Sequence, residues 1–312
     1  MLDNSNKPIC RVVPEFNSLG KEETQSVIKV MERGLLSGFL AMPHPEQFFG
    51  GPEILRLEEM WCKKFSVDYA VSVNSASSGL IAALAAINIC QGDEVIVPPY
   101  SMSATAMAPM SLGAVPVFVD IEDDTFGLDP ELVLRAITSK TKAIIVVNLF
   151  GHAAELKKLR KIADDNNIYL IEDNAQSLLA SSDDILCGNF GHIGVFSLNR
   201  HKHIHCGEGG ICVTNDNEIG KNLILIRNHG ENAGNIFNEE ISRKFIGYNF
   251  RMTEVCAAIA SSQLMKVDYL VDRCERIGLS LSKRVEDFDC IQVPVIKKNS
   301  RHVFFSWAIR YF

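Results

Sequence analysis

The sequence predicts an α/β fold built on a mostly parallel central sheet. From Tyr69 onward, short runs rich in β-branched residues alternate with segments whose apolar residues recur at helical spacing. This alternation requires crossover connections, which bring parallel strands side by side and cover both faces of the sheet with helices. With 312 residues, the chain is long enough for one large domain and a smaller second piece.

Short apolar runs predict the strands of this sheet, and capping residues predict the helices. The strands are expected at residues 69–73, 94–97, 114–119, 143–147, 168–171 and 211–214. One helix follows NSASSG (74–79), and another covers 155–165. A third begins at Pro130, with Asp129 as its N-cap.

The C-terminal part of the sequence predicts one long helix and a final strand. Thr253 can cap this helix, and one face of it carries Val255, Ala258, Ile259, Ser262, Met265 and Tyr269. The final stretch, VFFSWAIRYF, is expected to be a strand without a partner. Its apolar side chains are therefore expected to be exposed, as for Phe304, Phe305 and Trp307.

Composition excludes several classes of protein. The net charge is −7 and no long basic run is present, which argues against nucleic-acid binding. Nine cysteines without CxxC spacing favour a reduced setting over a disulfide framework. The N-terminus lacks the apolar core of a signal peptide, and no run of about 18 apolar residues predicts a membrane span. We expect a cytoplasmic protein that binds neither nucleic acid nor membrane.

Lys202 and Asp173 are the candidate catalytic residues. Lys202 lies in FSLNRHKHIHCGEGG (196–210) between two strand-like runs. The apolar run at 168–171 ends in Glu172-Asp173, so Asp173 lies at the end of that strand. A lysine can form a Schiff base with the aldehyde of pyridoxal phosphate, while an acid keeps the pyridine nitrogen protonated. Residues 75–78 (SASS) join a strand to a helix, so their amides and hydroxyls can hold a phosphate.

Each of these residues also has an ordinary structural interpretation. The serines at 75–78 can simply cap the helix, Asp173 can be a solvated turn acid, and an isolated lysine is usually exposed.

His201, His203 and His205 could share one strand face, which suggests a metal site. No cysteine pair or carboxylate has a matching spacing, so a basic rim near an anionic ligand is favoured and no metal is expected. The glycines at 207–210 predict a turn.

Three motifs together resemble the DegT/DnrJ/EryC1/StrS family of PLP-dependent sugar aminotransferases. They are IEDNAQS, FSLNRHKHIHCGEGG and GYNFRMTEVCAAI, in the family's order and spacing, and the resemblance extends from about Val12 to the end of the chain. It implies the aspartate-aminotransferase fold (PLP fold type I), with a PLP-binding large domain at 12–252 and a partial α+β small domain at 253–312. It also implies a homodimer whose active sites lie at the interface.

The resemblance assigns a role to each matching residue. Lys202 would be the Schiff-base lysine and proton shuttle, Asp173 would pair with the pyridine nitrogen, and Gln176 would contact the ring hydroxyl. The phosphate would be held by Ser77, Ser78 and Ser197. Asn249 would reach the phosphate in the neighbouring subunit, with Arg251 close by on the substrate side.

The chain departs from the family pattern at three places. Met102 stands where relatives have an aromatic residue stacked on the cofactor ring, although a thioether can also pack on a ring face. Asn199 stands where several relatives carry histidine, and it is a candidate substrate residue. Relatives continue through the rest of the small domain, so we expect either a fragment or a protein of impaired activity.

The leading functional hypothesis is transfer of an amino group, from glutamate, to a keto group of a nucleotide-linked sugar. Such a reaction belongs to cell-surface polysaccharide or secondary-metabolite biosynthesis. One alternative is a PLP-dependent sugar dehydratase, but those relatives have histidine where this chain has Lys202. The other is a catalytically impaired PLP- or sugar-binding protein, suggested by Met102 and the C-terminus.

Overall fold

A computed structural model describes residues 16–40, 48–230, 237 and 246–312. Its helices are α1 (Lys21–Arg33), α2 (Pro52–Phe65), α3 (Ala76–Ala86), α4 (Ala104–Ser111), α5 (Pro130–Ala136), α6 (Leu156–Asp165), α7 (Asn217–Arg227), α8 (Glu254–Leu264) and α9 (Val267–Val285). A short 3₁₀ turn covers Leu149–Gly151. No helix within these ranges is long and apolar enough to span a membrane.

A seven-stranded sheet forms the centre of the molecule. Its strands are β1 (Tyr69–Val73), β2 (Glu94–Val97), β3 (Val115–Phe118), β4 (Thr141–Val147), β5 (Tyr169–Asp173), β8 (Ile193–Ser197) and β9 (Gly210–Thr214), in the order β1-β9-β8-β5-β4-β2-β3. Only β9 runs antiparallel to its neighbours. The predicted α/β class and mostly parallel sheet are confirmed.

The register brings several strand ends to one edge of the sheet. Val147 at the end of β4 pairs with Asp173, and Asp173 pairs with Val195 of β8. Ser197 at the end of β8 pairs with Gly210, which begins β9 and also pairs with Val73. Ligands bind in parallel sheets beyond the carboxyl ends of the strands, so this edge is where a site is expected.

Local sequence explains where the helices begin. The Ser75 hydroxyl accepts a hydrogen bond from the Ser78 amide at 3.1 Å, which caps α3. Asp129 caps α5 through the Glu131 and Leu132 amides, as predicted. The helix predicted after NSASSG is confirmed, but it begins earlier, at Ala76, and Leu80 on it is buried.

The prediction of a single long C-terminal helix is wrong. Thr253 does cap a helix, but α8 ends at Leu264 and α9 begins at Val267. The predicted apolar face does not continue, because Met265 and Tyr269 are 59% and 61% exposed. The break lets α8 pack against α1 and α2, while the Lys266 ammonium reaches the buried Glu23 carboxylate at 2.6 Å. The domain boundary between 252 and 253 stays a prediction.

The prediction of an unpaired, exposed final strand is also wrong. β11 (Ser300–Arg301) pairs with β6 (Ser181–Ser182), which also pairs with β7 (Ile185–Leu186). β12 (Arg310–Tyr311) pairs with β10 (Ile291–Gln292). Between β11 and β12 the chain crosses the carboxyl edge of the large sheet, and it forms no strand there. The side chains expected to be exposed are instead buried or half-buried, namely Phe304, Phe305 and Trp307.

The aromatic contact between α2 and β8 is a main element of the core. The Trp61 ring stacks on Phe65 with centroids 5.2 Å apart, and Phe65 lies 4.8 Å from Phe196 of β8. Trp61 is fully buried. This cluster holds β8 against α2 and thereby fixes the strand that leads to Lys202.

We predict that Trp61→Ala lowers the free energy of unfolding by about 3–5 kcal/mol, because it removes a buried indole and leaves a cavity. Urea denaturation measures the change. Leu55→Ala on the same helix is the control, since Leu55 is 46% exposed and its loss should cost about 0.5 kcal/mol or less. Equal losses in the two variants would contradict the assigned core.

Candidate active site

A cavity of about 420 Å³ opens at the carboxyl edge of the central sheet. Strand ends and two loops form its walls. Most of the residues singled out from the sequence line it, namely Ser77, Met102, Asp173, Gln176, Ser197, Asn199 and Lys202. Ser78, Asn249 and Arg251 do not line it. The structure therefore brings together side chains that lie as far apart in the chain as Ser77 and Lys202.

Lys202 lies at the tip of a hairpin that joins β8 to β9. The Leu198 amide donates to the Gly209 carbonyl at 2.8 Å, and the Arg200 amide donates to the Gly207 carbonyl at 2.9 Å. The Lys202 amide closes the tip by donating to the Asn199 carbonyl. These bonds confirm the predicted placement of Lys202 between two strands and direct its side chain into the cavity wall.

Burial weakens the positive charge of Lys202. Withdrawal from water lowers the pKa of the Lys202 ammonium, and the Asp173 carboxylate partly opposes this by raising it. A larger share of Lys202 is therefore the neutral amine than for an exposed lysine. Only the neutral amine can attack an aldehyde or accept a proton.

Asp173 is the last residue of β5 and is 6% exposed, so the interpretation as a solvated turn acid is wrong. The Ala175 amide donates to its Oδ1 at 3.0 Å. Burial raises the pKa of Asp173, whereas this amide, the Lys202 charge and a hydrogen bond from the Thr105 hydroxyl lower it. A cationic ring nitrogen bound nearby would add to the interactions that keep Asp173 ionised.

Residues 75–78 (SASS) serve both as a helix cap and as part of the cavity wall where a phosphate could bind. Ser75 caps α3, and its hydroxyl lies 3.0 Å from that of Ser78, so Ser78 is engaged with the cap. Ser77 lines the cavity at the first turn of the helix. A Cβ on Gly210 would lie 2.7 Å from the Ala76 amide nitrogen, so only glycine lets β9 pass this close to the helix start. The result is a helix N-terminus facing the cavity.

Gln176 and Asn199 are oriented by neighbouring groups. The Gln176 amide oxygen accepts a hydrogen bond from the Phe150 amide at 2.8 Å, which leaves its amide nitrogen as the donor for a ring hydroxyl. The Asn199 amide nitrogen donates to the Glu208 carboxylate at 2.8 Å. Its oxygen is buried and, among the described residues, has no hydrogen-bond partner. A bound donor group would satisfy that oxygen.

Phe305 is one of the site residues that sequence reasoning missed. Its ring centroid lies 4.6 Å from the Lys202 ammonium nitrogen, a cation–π distance, and the ring lines the cavity. Met102, in contrast, is 69% exposed at the cavity rim. No local pattern marks Phe305, because the C-terminal segment brings it to the site from far along the chain.

Asn249 and Arg251 form a separate cluster beside the end of β1. The Asn249 carbonyl accepts a hydrogen bond from Asn74 at 3.3 Å, and its side-chain oxygen accepts one from Arg251 at 2.9 Å. Arg251 also donates to the Asn228 side chain at 2.9 Å. Asn249 is exposed, so its amide can reach a second molecule.

The three histidines at 201–205 do not share a strand face, because these residues form bends and turns. The half-buried His203 ring is hydrogen-bonded to the Val303 carbonyl at 3.0 Å. His201 lines the cavity beside Lys202. Within the described ranges, no group of three or more potential ligands could hold a metal ion.

The cavity residues fit pyridoxal phosphate. The helix N-terminus with Ser77 and Ser197 suits a phosphate, and the buried Asp173 suits a cationic ring nitrogen. Lys202 suits the aldehyde. Gly210 has no side chain at the point where β9 passes the start of α3. Space therefore remains at the start of this helix for an anion.

We predict that Asp173→Asn lowers the pKa of Lys202 further, because it removes the carboxylate that raises it. In protein without cofactor, Lys202 should then be labelled by reductive methylation at lower pH than in the parent chain. Peptide mass spectrometry across a pH series measures this midpoint. The control is Asp123→Asn, which removes an exposed charge that does not act on Lys202. An unchanged midpoint in Asp173→Asn would show that the two charges do not interact.

Comparison with known proteins identifies the family. The model of the DegT/DnrJ/EryC1/StrS aminotransferase family matches residues 37–311. The chain is 34% identical to the GDP-perosamine synthase of Escherichia coli O157:H7, over 83% of this chain and 70% of that enzyme. The structure of Streptomyces venezuelae DesV superposes with a TM-score of 0.83 at 30% identity, over 93% of this chain and 74% of DesV.

A further structural neighbour carries the cofactor. It is an E. coli GDP-4-keto-6-deoxy-D-mannose-3-dehydratase with bound hydrated PLP, with a TM-score of 0.83 at 27% identity, over 95% of this chain and 78% of that one. These neighbours confirm the expected PLP fold type I and the expected cofactor of the family. The resemblance found in the sequence motifs is thus confirmed, and the chain belongs to the DegT/DnrJ/EryC1/StrS aminotransferase family.

Proposed function

We propose that this protein is a PLP-dependent aminotransferase that moves an amino group from glutamate to a keto group of a nucleotide-linked sugar. The observation that carries the proposal is the meeting of Lys202 and Asp173 in one cavity at the carboxyl edge of the sheet. The family match and the sugar aminotransferases among the relatives support it. The product suits the biosynthesis of cell-surface polysaccharides or secondary metabolites.

Each cavity residue has a task in this reaction. Ser77, Ser197 and the first amides of α3 would hold the phosphate, with Ser78 supporting the cap. Asp173 would pair with the ring nitrogen. Gln176 would donate to the ring hydroxyl, and Met102 would cover the ring face from the rim. When bound, the cofactor supplies a protonated ring that accepts the electron pair left on a carbon after proton loss.

Lys202 moves the proton. Its Nζ would take a proton from the substrate carbon that bears the nitrogen and deliver it to the carbon on the other side of that nitrogen, which requires an amine that is neutral at the start. Burial lowers the pKa of Lys202 and so favours that neutral form. Phe305 covers the same nitrogen and limits its contact with water. The Asn199 oxygen, which has no hydrogen-bond partner in the part of the chain that the structure describes, is a candidate acceptor for a substrate hydroxyl.

Lys202 also separates this proposal from the dehydratase alternative. A dehydratase is among the structural neighbours, so the fold alone does not decide between the two reactions. A lysine amine in the cavity can return the proton that completes amino transfer. The family resemblance implies that relatives which eliminate a hydroxyl have histidine instead at this position.

Transfer of nitrogen to the sugar tests the proposed function. We predict that the protein, PLP and ¹⁵N-glutamate convert a GDP- or dTDP-linked 4-keto sugar into an amine that carries the heavy nitrogen, as measured by mass spectrometry. Lys202→Ala and Asp173→Asn should lose about 100-fold or more in rate, the range of a positioned acid–base group. Lys142→Ala, an exposed lysine of β4, is the control and should retain the rate. Full turnover by Lys202→Ala would exclude the mechanism.

We further propose a cytoplasmic homodimer with shared active sites. In this arrangement Asn249 and Arg251 of one subunit serve the phosphate and substrate in the other. Three observations support it: Asn249 is exposed, its cluster lies outside the Lys202 cavity, and it is next to Asn74 at the end of β1. The eight described cysteines are free thiols, which suits a reducing compartment.

Complementation tests the shared site. Neither Lys202→Ala nor the double variant Asn249→Ala, Arg251→Ala should be active alone. We predict that subunit exchange between them restores about a quarter of the parent rate, since half of the dimers are mixed and each has one intact site. Mixed dimers without activity, shown to form by native mass spectrometry, would mean that each site is built within one chain.

A further inference from the structure

The segment at residues 303–306 crosses the active-site cavity after α9 and is fastened on one side to the 3₁₀ turn. The Val303 amide donates to the Gly151 carbonyl at 2.8 Å. Gly151 has a φ of +99°, and a Cβ at this position would lie 2.8 Å from the Phe305 amide nitrogen. Only glycine therefore lets the segment pass this close to the turn.

His203 fastens the other side of this segment to the hairpin that carries Lys202. Its Nε2 lies 3.0 Å from the Val303 carbonyl oxygen. A carbonyl oxygen can only accept, so Nε2 carries the hydrogen and donates it. Val303 is fully buried, and loss of this donor would therefore cost free energy. The amide and the carbonyl of Val303 thus link the 3₁₀ turn to the Lys202 hairpin.

Phe305 lies two residues further along and covers part of the Lys202 amine. Its ring centroid is 4.6 Å from the Lys202 nitrogen and 6.0 Å from that of the His203 ring. Phe305 and Lys202 both line the cavity that contains Asp173. They also line a second cavity, of about 290 Å³, beside α9. The two side chains therefore form part of the wall between these two spaces.

We propose that His203 is a positioning residue that holds Phe305 over the Lys202 amine. It acts through Val303, whose carbonyl it binds, and so fixes the chain just before the phenyl ring. The inference rests on the proposed function, which makes Lys202 the proton carrier. A proton held on an amine in contact with water exchanges with solvent before it is delivered, and a ring that excludes water prevents this loss.

A purely structural role for His203 leads to a different expectation. In that case, loss of the imidazole would lower the free energy of unfolding without changing the access of reagents to Lys202 relative to other lysines. A positioning role instead predicts a local effect at Lys202, and one that depends on the presence of the Phe305 ring.

Competitive acetylation of the full chain without cofactor tests the proposal. Acetic anhydride labels Lys202 and the exposed Lys142 in the same sample, and peptide mass spectrometry measures both. A pH series gives the rate constant of each neutral amine, which separates access from pKa. In His203→Leu the ratio of Lys202 to Lys142 should rise about fivefold or more, because the segment opens more often once this hydrogen bond is lost.

Two further substitutions at position 203 test whether the hydrogen bond is responsible. His203→Gln keeps an N–H donor at a similar reach and should retain the ratio of the parent chain. His203→Asn is too short to reach the carbonyl and should raise the ratio as His203→Leu does. It provides a second loss variant should the leucine variant not fold.

Phe305→Leu tests whether His203 acts through the ring. This variant should raise the ratio by itself, and adding His203→Leu should change it little, because the ring that His203 positions is already gone. The proposal is overturned by an unchanged ratio in the loss variants, by a raised ratio in His203→Gln, or by a full effect of His203→Leu in the Phe305→Leu background. Since neither cofactor nor sugar takes part, these outcomes leave the proposed aminotransferase activity untouched.

Discussion

The central constraint on this molecule is the placement of two opposite charges in one cavity, where Asp173 is buried and Lys202 is half-buried. Burial alone would discharge both groups, since it raises the pKa of Asp173 and lowers that of Lys202. Each charge partly stabilises the other. Each group thus keeps its charge partly through the other. A bound cationic ring that takes Asp173 as its partner would free Lys202 to act as a neutral amine.

The structure around this pair serves to hold it in place. Asp173 ends β5 between β4 and β8, so hydrogen bonds on both sides fix its backbone. The preceding residue, Glu172, points to the opposite face and accepts hydrogen bonds from the Gly188, Phe190 and Gly191 amides. Those bonds anchor the chain that leads into β8, and β8 in turn leads to the Lys202 hairpin. Asp173 and Lys202 are thus positioned by one continuous set of backbone contacts.

The sequence predicted the parts of the site that depend on local pattern. Strand ends, helix caps and the hairpin are short-range features, so Asp173, Ser77 and Lys202 could be located from their neighbours in the chain. Phe305 could not, because its role comes from a segment that crosses the site after the last helix.

The helix break at Met265 and Lys266 was missed for a similar reason. Apolar periodicity alone predicted one continuous helix. The break is stabilised by distant partners, since Lys266 and the buried Gln263 both reach Glu23 of α1. Ionic and hydrogen-bonded contacts between segments far apart in sequence leave no periodic signal.

The most direct measurement of the central claim is to identify the lysine that binds the cofactor covalently. Borohydride reduction of the protein with PLP, followed by peptide mapping, should place the label on Lys202 in the parent chain. In Asp173→Asn the label should stay on Lys202, because the acid acts on the ring nitrogen and not on the covalent bond between Lys202 and the cofactor. A label on Lys142 or any other lysine would contradict the account of the site.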